Sequence, residues 1–344
     1  MLHIDGSFGE GGGQILRTAL ALSSILQKPI HIFNIRKGRK RPGLMPQHLM
    51  CVRALKEITD AETKGDSKGS TELYFSPQRI RPGSYSFDIG TAGSATLLLQ
   101  ALLPPLLFSD SPSIVEITGG THVPFSPPFD YFKEVLVQLL KRLGFRIRAD
   151  IESYGFYPVG GGRVTVEINP ADSFKHIELT ERGALMSIEG ISAVGGLPLS
   201  IAERQKNEAE AILSSRGFSP EIKTASVPTP GKGTYIFLKV VAENIAAGFS
   251  SLGARGKRAE AVGEEAVEEL IQYINSNACL DHHLSDQILV YITLIGGQWR
   301  LSTSRITEHL RTNLWLIGRF LDVEYKIEDS VVEIKSKGVS QIHR

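Results

Sequence analysis

The stretch Gly9-Glu10-Gly11-Gly12-Gly13-Gln14-Ile15-Leu16-Arg17 follows a short strand-like segment and leads into an apolar stretch with helical periodicity. Glycines before a helix leave backbone N–H groups unhindered at the positive end of the helix dipole, which suits a phosphate group. Glu10 offers an oxygen ligand for a divalent cation, and Arg17 offers a guanidinium for phosphate oxygens. The turn lacks the P-loop and dinucleotide-binding patterns. A tight strand-to-helix connection without a ligand is an equally good interpretation of the turn alone.

A second turn of the same kind, Gly90-Thr91-Ala92-Gly93-Ser94, opens the apolar helix that carries Gln100. Around both turns the pattern predicts a strand, a helix, a strand, a helix and a pair of strands. The composition changes near Arg182 and changes back after residue 275. We therefore expect an α+β fold, with a large domain (residues 1–181 and 276–344) of repeated modules and a small inserted α/β domain (182–275).

The composition excludes several classes of protein. The 344 residues are 42% hydrophobic and 22% charged, with a formal net charge of +1, so any nucleic-acid binding must come from local basic clusters. Two cysteines are too few for a disulfide framework or a cysteine-based zinc site, and they favour a reducing, cytoplasmic compartment. The N-terminus lacks the pattern of a signal peptide. The longest apolar run, Ala95 to Phe108, is too short to span a bilayer and predicts a buried helix.

A basic loop follows the first helix. Counting Arg53, six Lys/Arg residues and no acidic residue occur from Asn34 to Arg53, and Gly38, Pro42 and Gly43 favour a loop here. A loop with this charge density suits a polyphosphate or an RNA end, whereas a solvated surface loop is the simpler alternative.

The segment Ser304-Arg305-Ile306-Thr307-Glu308-His309-Leu310-Arg311-Thr312-Asn313 places one imidazole beside hydroxyls, a guanidinium and an amide at the start of an apolar helix. A neutral imidazole is a good nucleophile toward phosphorus, and the P–N bond that it forms is labile. A lone histidine near a helix start is more often a cap, a surface residue or a core residue.

The segment Asp281-His282-His283-Leu284-Ser285-Asp286-Gln287 precedes another apolar helix. Two adjacent histidines are a weak indication of zinc because their side chains do not easily converge on one ion. Asp286 lies at the expected helix start, where capping is its default role.

Together these motifs resemble the RNA 3′-terminal phosphate cyclase family, and the resemblance covers essentially the whole chain. The motifs that carry it are Asp5-Gly6 with Gly9 to Arg17, Arg36-x-Gly38-Arg39-x-x-Pro42-Gly43-Leu44 with Gln47-His48, Gly90 to Ser94 with Gln100, Gly155-Phe156-Tyr157-Pro158-x-Gly160-Gly161-Gly162, Asp286-Gln287, and His309-Leu310-x-Thr312-Asn313. The chain departs from the family at Tyr154, where a basic residue is more frequent, and at His283, where some members have an aromatic ring that stacks on adenine.

The resemblance implies βαβαββ modules similar to those of the enolpyruvate transferases. It also implies an ATP-dependent ligase, in which ATP and Mg²⁺ or Mn²⁺ adenylylate a histidine. AMP then passes to an RNA 3′-phosphate, and the neighbouring 2′-OH attacks to leave a 2′,3′-cyclic phosphate.

The resemblance further implies a role for each matched residue. His309 is the nucleophile, Glu10 holds the metal ion, and His48 assists near the transferring phosphate. Three arginines would neutralise the developing charge: Arg17, Arg36 and Arg39. The expected nucleotide-binding residues are Gln47, Gln100, His283, Leu284, Ser285, Asp286 and Gln287.

Two other functions stay open from the sequence. A non-catalytic relative in ribosomal RNA processing shares the fold but lacks the nucleophilic histidine, so His309 argues against it. A carbon–oxygen transferase of the enolpyruvate type shares the modules without needing a nucleophilic histidine. The expected partners are ATP and RNA with a 3′-phosphate end, with no membrane, and a homodimer is one of the oligomeric states left open.

Overall fold

The computed structural model describes residues 1–171 and 173–339. The first module has the order strand, helix, strand, helix, strand, strand. Its elements are β1 (Leu2–Asp5), α1 (Gly13–Leu26), β2 (Ile30–Phe33), α2 (Pro46–Thr59), β3 (Glu62–Lys64) and β4 (Leu73–Ser76). The sheet order is β1-β2-β4-β3, in which β1 and β2 are parallel and the other neighbours are antiparallel.

The second module repeats this arrangement. Its elements are β5 (Ser84–Asp88), α3 (Ala95–Leu107), β6 (Ser113–Gly119), α4 (Phe129–Tyr131), a π-helical turn (Phe132–Leu136), α5 (Val137–Arg142), β7 (Arg146–Ser153) and β8 (Gly162–Asn169). The sheet order β5-β6-β8-β7 has the same pattern of one parallel and two antiparallel pairs. The predicted repeat is therefore present in the tertiary structure.

A four-stranded unit follows, formed by residues 185–276. Its elements are β9 (Leu185–Gly195), α6 (Ser200–Ser215), β10 (Glu221–Ser226), β11 (Gly233–Ala242), β12 (Ala246–Leu252) and α7 (Ala259–Ser276). The sheet order is β10-β9-β11-β12, and α6 packs against α7 and the sheet over a separate apolar cluster. The ring of Tyr235 on β11 belongs instead to the main core. The division of the chain into two domains at 182–275 stays a prediction.

A third module surrounds this unit in the sequence. Its elements are α8 (His282–Ile295), β13 (Gly297–Ser302), α9 (Glu308–Phe320), β14 (Val323–Glu328) and β15 (Val331–Ser336), with sheet order β13-β15-β14. Leu179, which precedes the four-stranded unit, forms a parallel bridge to Leu301 of β13. This bridge occupies the position of the first strand of the other modules, so the unit interrupts the third module after its first strand.

The helices of the three modules meet in one apolar core. α1 packs against α2, α3 and α9, and α8 packs against α9. Most of α1 is buried because its surface is apolar on nearly every side. This central position brings the glycine turn before α1 next to the start of α9.

The helix that follows the paired histidines starts earlier than expected. Asp281, not Asp286, is its N-cap, because the Oδ1 of Asp281 accepts hydrogen bonds of 2.9 Å from the backbone N–H groups of His283 and Leu284. The predicted capping role of Asp286 is therefore wrong, and Asp286 lies inside α8. The expected buried helix from Ala95 is confirmed as α3. Across the residues that the structure covers, we find no helix with the length and apolar character needed to cross a membrane.

Candidate active site

The imidazole of His309 lies in the first turn of α9, held there by Gln14 from the start of α1. The side chain of Thr307 caps this helix by accepting a hydrogen bond from the N–H of Leu310. The Nε2 of Gln14 donates to the backbone carbonyl of His309 at 2.9 Å, so its Oε1 is the atom that contacts Nδ1 of the imidazole. An amide oxygen only accepts, and Nδ1 must therefore carry a proton. The other ring nitrogen, Nε2, is therefore the atom that can act as a nucleophile whenever the imidazole is neutral.

Glu10 faces that second nitrogen. Its carboxylate Oε2 lies 3.1 Å from Nε2 of His309 and 3.6 Å from Nη2 of Arg39, and Arg39 also donates to the Glu10 carbonyl at 3.0 Å. Burial lowers the pKa of His309, the cations of Arg17 and Arg39 lower it further, and the Glu10 carboxylate opposes them. The His309 side chain remains 44% exposed, so a ligand in the neighbouring cleft could reach it.

Behind the glycine turn lie His48 and Arg17. A Cβ built on Gly13 would lie 2.4 Å from Nε2 of His48 and 2.9 Å from Nη1 of Arg17, so only a glycine fits between the helix start and these two side chains. His48 is 7% exposed, and its Nδ1 accepts a hydrogen bond of 3.2 Å from the N–H of Met45. Burial, together with the cations of Arg17 and Arg36, lowers the pKa of His48 to about 3. His48 is therefore neutral at physiological pH, and its Nε2 faces the start of α1.

A cleft of about 470 Å³ begins at His309 and extends away from the glycine turn. Its lining includes six of the residues expected at the site: Arg17, Gln100, His283, Asp286, Gln287 and His309. The Nε2 of Gln100 donates to Oε1 of Gln287 at 2.9 Å. His283 is exposed and stands edge-on to Tyr131, at 6.2 Å between ring centroids. Amides and flat rings at one end of a cleft suit a nucleobase and its ribose.

Asp286 connects this end of the cleft to the helix that carries His309. Its Oδ1 accepts a hydrogen bond of 2.7 Å from the hydroxyl of Thr307, and its backbone carbonyl accepts one of 2.9 Å from Asn313. Asn313 in turn accepts a hydrogen bond of 3.0 Å from Thr18 on α1. Burial raises the pKa of Asp286 to about 8, so the carboxyl keeps its proton at neutral pH and can donate as well as accept.

Four of the expected site residues have other contacts. Leu284 and Ser285 are fully buried, and the Ser285 hydroxyl lies 2.8 Å from that of Thr303. Both side chains point into the core, and the expected role of these two residues in binding the nucleotide stays a prediction. Arg36 donates to the carbonyls of Arg41 and Gly43 and so holds its own loop together.

Gln47 is the fourth of these residues. Its Oε1 accepts a hydrogen bond of 3.0 Å from the N–H of Ser94, the residue that caps α3. This bond joins the helix after the basic loop to the second glycine turn. The structure therefore gives Gln47 a positioning contact between the first two modules.

Two groups with clear contacts received no role from the sequence. Gln14 sets the tautomer of His309, and Asp281 accepts a hydrogen bond of 2.8 Å from the hydroxyl of buried Tyr131 beside the cleft. Gln14 stands inside the glycine-turn motif, and that position could have indicated a role at the site. No sequence pattern links Asp281 to Tyr131, because they are 150 residues apart in the chain.

A metal ion would have one protein carboxylate here. Within residues 1–171 and 173–339, no three His, Cys, Asp or Glu side chains are grouped so that they could hold an ion. Mg²⁺ commonly binds through one or two carboxylates together with substrate phosphates and water. The exposed carboxylate of Glu10, next to the glycine turn, fits that mode and not a cage made only of protein ligands.

Known proteins resemble this chain over nearly its whole length. The family model described as RNA 3′-terminal phosphate cyclase matches residues 8–327. A protein of that name from Saccharolobus solfataricus is 47% identical over 332 residues, covering 95% of this chain and 96% of that protein. Those from Staphylothermus marinus and Pyrobaculum neutrophilum are 44% and 42% identical, and each alignment covers at least 98% of both chains.

One solved structure, the enolpyruvyl transferase NikO from Streptomyces tendae, aligns over 97% of this chain and 81% of that one. Its TM-score of 0.24 and identity of 10% are too low to support a conclusion. The family assignment rests on the family model and on the relatives in sequence, which span the glycine turn, the cleft and the histidine alike. The chain belongs to the RNA 3′-terminal phosphate cyclase family.

Proposed function

We propose that this protein uses ATP to convert the 3′-terminal phosphate of an RNA into a 2′,3′-cyclic phosphodiester, through an adenylyl-histidine at His309. The family membership supports the overall reaction. The observation that supports the covalent route is the Gln14 contact, because the amide oxygen accepts a hydrogen bond from Nδ1–H and leaves Nε2 of His309 as the nitrogen that can attack phosphorus. A non-catalytic role in RNA processing would not require an imidazole held in this way.

In the first step, Nε2 of His309 attacks the α-phosphorus of ATP, the P–N bond forms, and the bond to the leaving diphosphate breaks. Gln14 stabilises the imidazole as its positive charge develops, because it accepts a hydrogen bond from Nδ1. Arg17 and Arg39 lie near enough to His309 to lower its pKa, so the same cations would stabilise phosphate charge. A single preorganised donor of this kind contributes ~10²–10³ in rate.

In the second step, an oxygen of the RNA 3′-phosphate attacks the phosphorus of the adenylyl-histidine. The P–N bond breaks, neutral His309 is restored, and an RNA–adenylate anhydride forms. The ribose 2′-OH then attacks the 3′-phosphorus, loses its proton, and expels AMP. A bare 3′-phosphate does not cyclise because its leaving group would be an oxide, and adenylylation replaces that oxide with AMP.

The nucleoside of ATP would bind at the far end of the cleft. Gln100 and Gln287 present amides there, His283 presents an exposed ring, and Asp286 presents a neutral carboxyl. Because the carboxyl of Asp286 is neutral, it adds no negative charge beside that of Glu10 to repel ATP. The role of His48 is to assist at the phosphate end, where its neutral Nε2 adjoins the glycine turn.

Glu10 would hold Mg²⁺ or Mn²⁺ against the phosphates of ATP. The fit rests on its exposed carboxylate beside the glycine turn. The ion would supply positive charge that offsets the charge of the phosphates and of the leaving diphosphate. Glu10 would then exchange its contact with His309 for the ion, which frees Nε2 of the imidazole.

The test is to incubate the protein with α-labelled ATP and a divalent cation. We expect an acid-labile, alkali-stable adenylyl–protein bond in the wild-type protein and in His3→Ala, which removes an exposed histidine on β1. His309→Ala should give no label. Absence of label in the wild-type protein, or its persistence in His309→Ala, would exclude the covalent route.

The second readout is the product. An RNA with a 3′-phosphate should become resistant to phosphatase only when ATP is present, and it should regain sensitivity after the cyclic phosphate is opened by acid. A carbon–oxygen transferase would produce neither signal.

A further inference from the structure

A stacked pair of aromatic rings, exposed Phe8 and partly buried Trp315, lies outside the cleft. Phe8 is 41% exposed and stacks on Trp315 of α9, with 3.9 Å between ring centroids and an interplanar angle of 12°. Neither residue lines the cleft that suits the nucleoside of ATP. Neither Phe8 nor Trp315 therefore has a role in the ATP-dependent step described above.

Each ring belongs to an element that also carries a proposed catalytic residue. Phe8 lies in the glycine turn with Glu10, and Trp315 lies on α9 with His309. Phe8 lies two residues before Glu10, in the turn that packs on α9 so closely that a Cβ on Gly9 would lie 2.3 Å from the Oγ1 of Thr312. The link to His309 runs through this turn, because the carboxylate of Glu10 lies 3.1 Å from Nε2 of His309. Trp315, six residues after His309, is ~9 Å farther along the axis of α9 and about 120° around it, so it supports Phe8 from another face of the helix.

The charges around the pair identify its partner. Arg311, Trp315 and Arg319 are spaced four residues apart, so they share one face of α9, and both arginines are exposed. The guanidinium of Arg311 lies 3.8 Å from the exposed Glu308 carboxylate, a weak surface contact. An aromatic ring between two cations is the usual pattern of surfaces that bind single-stranded nucleic acid, since the ring stacks on a base and the cations neutralise phosphates.

We propose that Phe8 and Trp315 form a stacking platform for the 3′-terminal base of the RNA, and that Arg311 and Arg319 contact the phosphates upstream of it. This inference rests on the proposed function, because it assumes that the RNA 3′-phosphate is brought to His309. Stacking on a ring needs no particular base, so the platform accepts any of the four bases at the RNA terminus.

The experiment measures the affinity for a 3′-phosphorylated oligoribonucleotide without ATP, and for the same oligonucleotide with an abasic 3′-terminal ribose. For Phe8→Ala we expect affinity for the intact RNA to fall about 10-fold, with a much smaller change for the abasic RNA. Phe8→Trp should restore the affinity, whereas Phe8→Leu, which keeps an apolar side chain, should not. Tyr325→Ala, which removes a similarly exposed ring from β14, is the matched control and should bind as the wild type does.

The charges are tested through the salt dependence of binding. Replacing Arg311 and Arg319 together by Gln should reduce the slope of log K against log[salt] by about 1.4, or about 0.7 for each lost contact with a single strand. The matched pair is Lys40→Gln with Arg41→Gln, two exposed cations of the basic loop. A change of slope in the loop pair and not in the α9 pair would place the RNA over the loop and overturn the proposal.

Two other outcomes would also refute it. An unchanged affinity in Phe8→Ala would exclude stacking, and an equal loss for the intact and abasic RNA would show that Phe8 only supports the turn. Rates of labelling by ATP separate this proposal from the covalent route. A wild-type protein that binds RNA through Phe8 but never becomes adenylylated would refute the covalent route and leave the platform intact.

Discussion

Replacing Gly13 by Ala should disturb the phosphate end of the site without removing any functional group. The new Cβ would lie 2.4 Å from Nε2 of His48, whereas ordinary contacts of a Cβ are 3.4 Å or longer, so the imidazole must move by about 1 Å. It cannot move freely, because His48 is buried and its Nδ1 is bonded to the N–H of Met45. Arg17, whose Nη1 would be 2.9 Å away, must also shift.

A displacement of about 1 Å in a catalytic arrangement costs ~10²-fold in rate. We expect Gly13→Ala to lower the rate of self-adenylylation by that factor. The free energy of unfolding should change by less than about 2 kcal/mol, because overpacking opposes the gain in helix propensity from Gly to Ala. Rapid-quench labelling with α-labelled ATP measures the rate, and thermal unfolding measures the stability.

Alanine substitutions at two other glycines provide a comparison with Gly13→Ala. A Cβ on Gly12 would lie 3.2 Å from Nη2 of Arg39, and a Cβ on Gly38 would meet nothing within 4 Å. Gly12→Ala should therefore have an intermediate effect and Gly38→Ala none. A wild-type labelling rate in Gly13→Ala would refute the assignment of His48 and Arg17 to the transferring phosphate, and so would an equal loss in Gly38→Ala.

Three further predictions concern single polar groups. Gln14→Leu should lower the labelling rate at least 10-fold at saturating ATP, because Nδ1 of His309 loses its acceptor, and a wild-type rate would contradict the tautomer argument. Glu10→Gln should raise the divalent ion concentration needed for half-maximal labelling, which a metal titration measures, and an unchanged titration would exclude Glu10 as a ligand. Burial raises the pKa of Asp286 to about 8, so the folded state keeps a proton that the unfolded state releases near pH 4. The contribution of Asp286 to stability should therefore fall as the pH rises from about 4 to 8, by an amount on the order of a few kcal/mol, whereas the contribution of buried, neutral His48 rises over the lower part of this range. Asp286→Asn should remove this fall in denaturant unfolding series, and an unchanged pH dependence would contradict the shifted pKa.

The sequence predicted the repeated modules well, because helices such as α3 carry long apolar patterns that few other structures accommodate. Its local patterns did not give the bounds of β2, β3, β10 and β12. Two of these strands, Ile30–Phe33 and Glu62–Lys64, have only four and three residues, too few for a periodic pattern to be recognised. Their existence depends on pairing with β4 in the folded sheet.

The start of α8 shows how a local ambiguity changes a site. Both Asp281 and Asp286 are reasonable caps before an apolar run, and the sequence favoured the second. The first is the cap because its carboxylate is buried against two N–H groups and the hydroxyl of Tyr131. That choice turns Leu284 and Ser285 into the core and leaves Asp286 beside the cleft.

The amino-acid sequence by itself determined which chemical groups are present: a glycine turn with a carboxylate, a cluster of arginines, and one imidazole at a helix start. Such groups are specified by short local patterns, so they can be recognised without a fold. Only the tertiary structure decided that Gln14 holds His309, a residue 295 positions away, and that Phe8 stacks on Trp315. Contacts of that kind depend on how α1 and α9 pack in the common core, and packing is a property of the whole chain that no single segment carries.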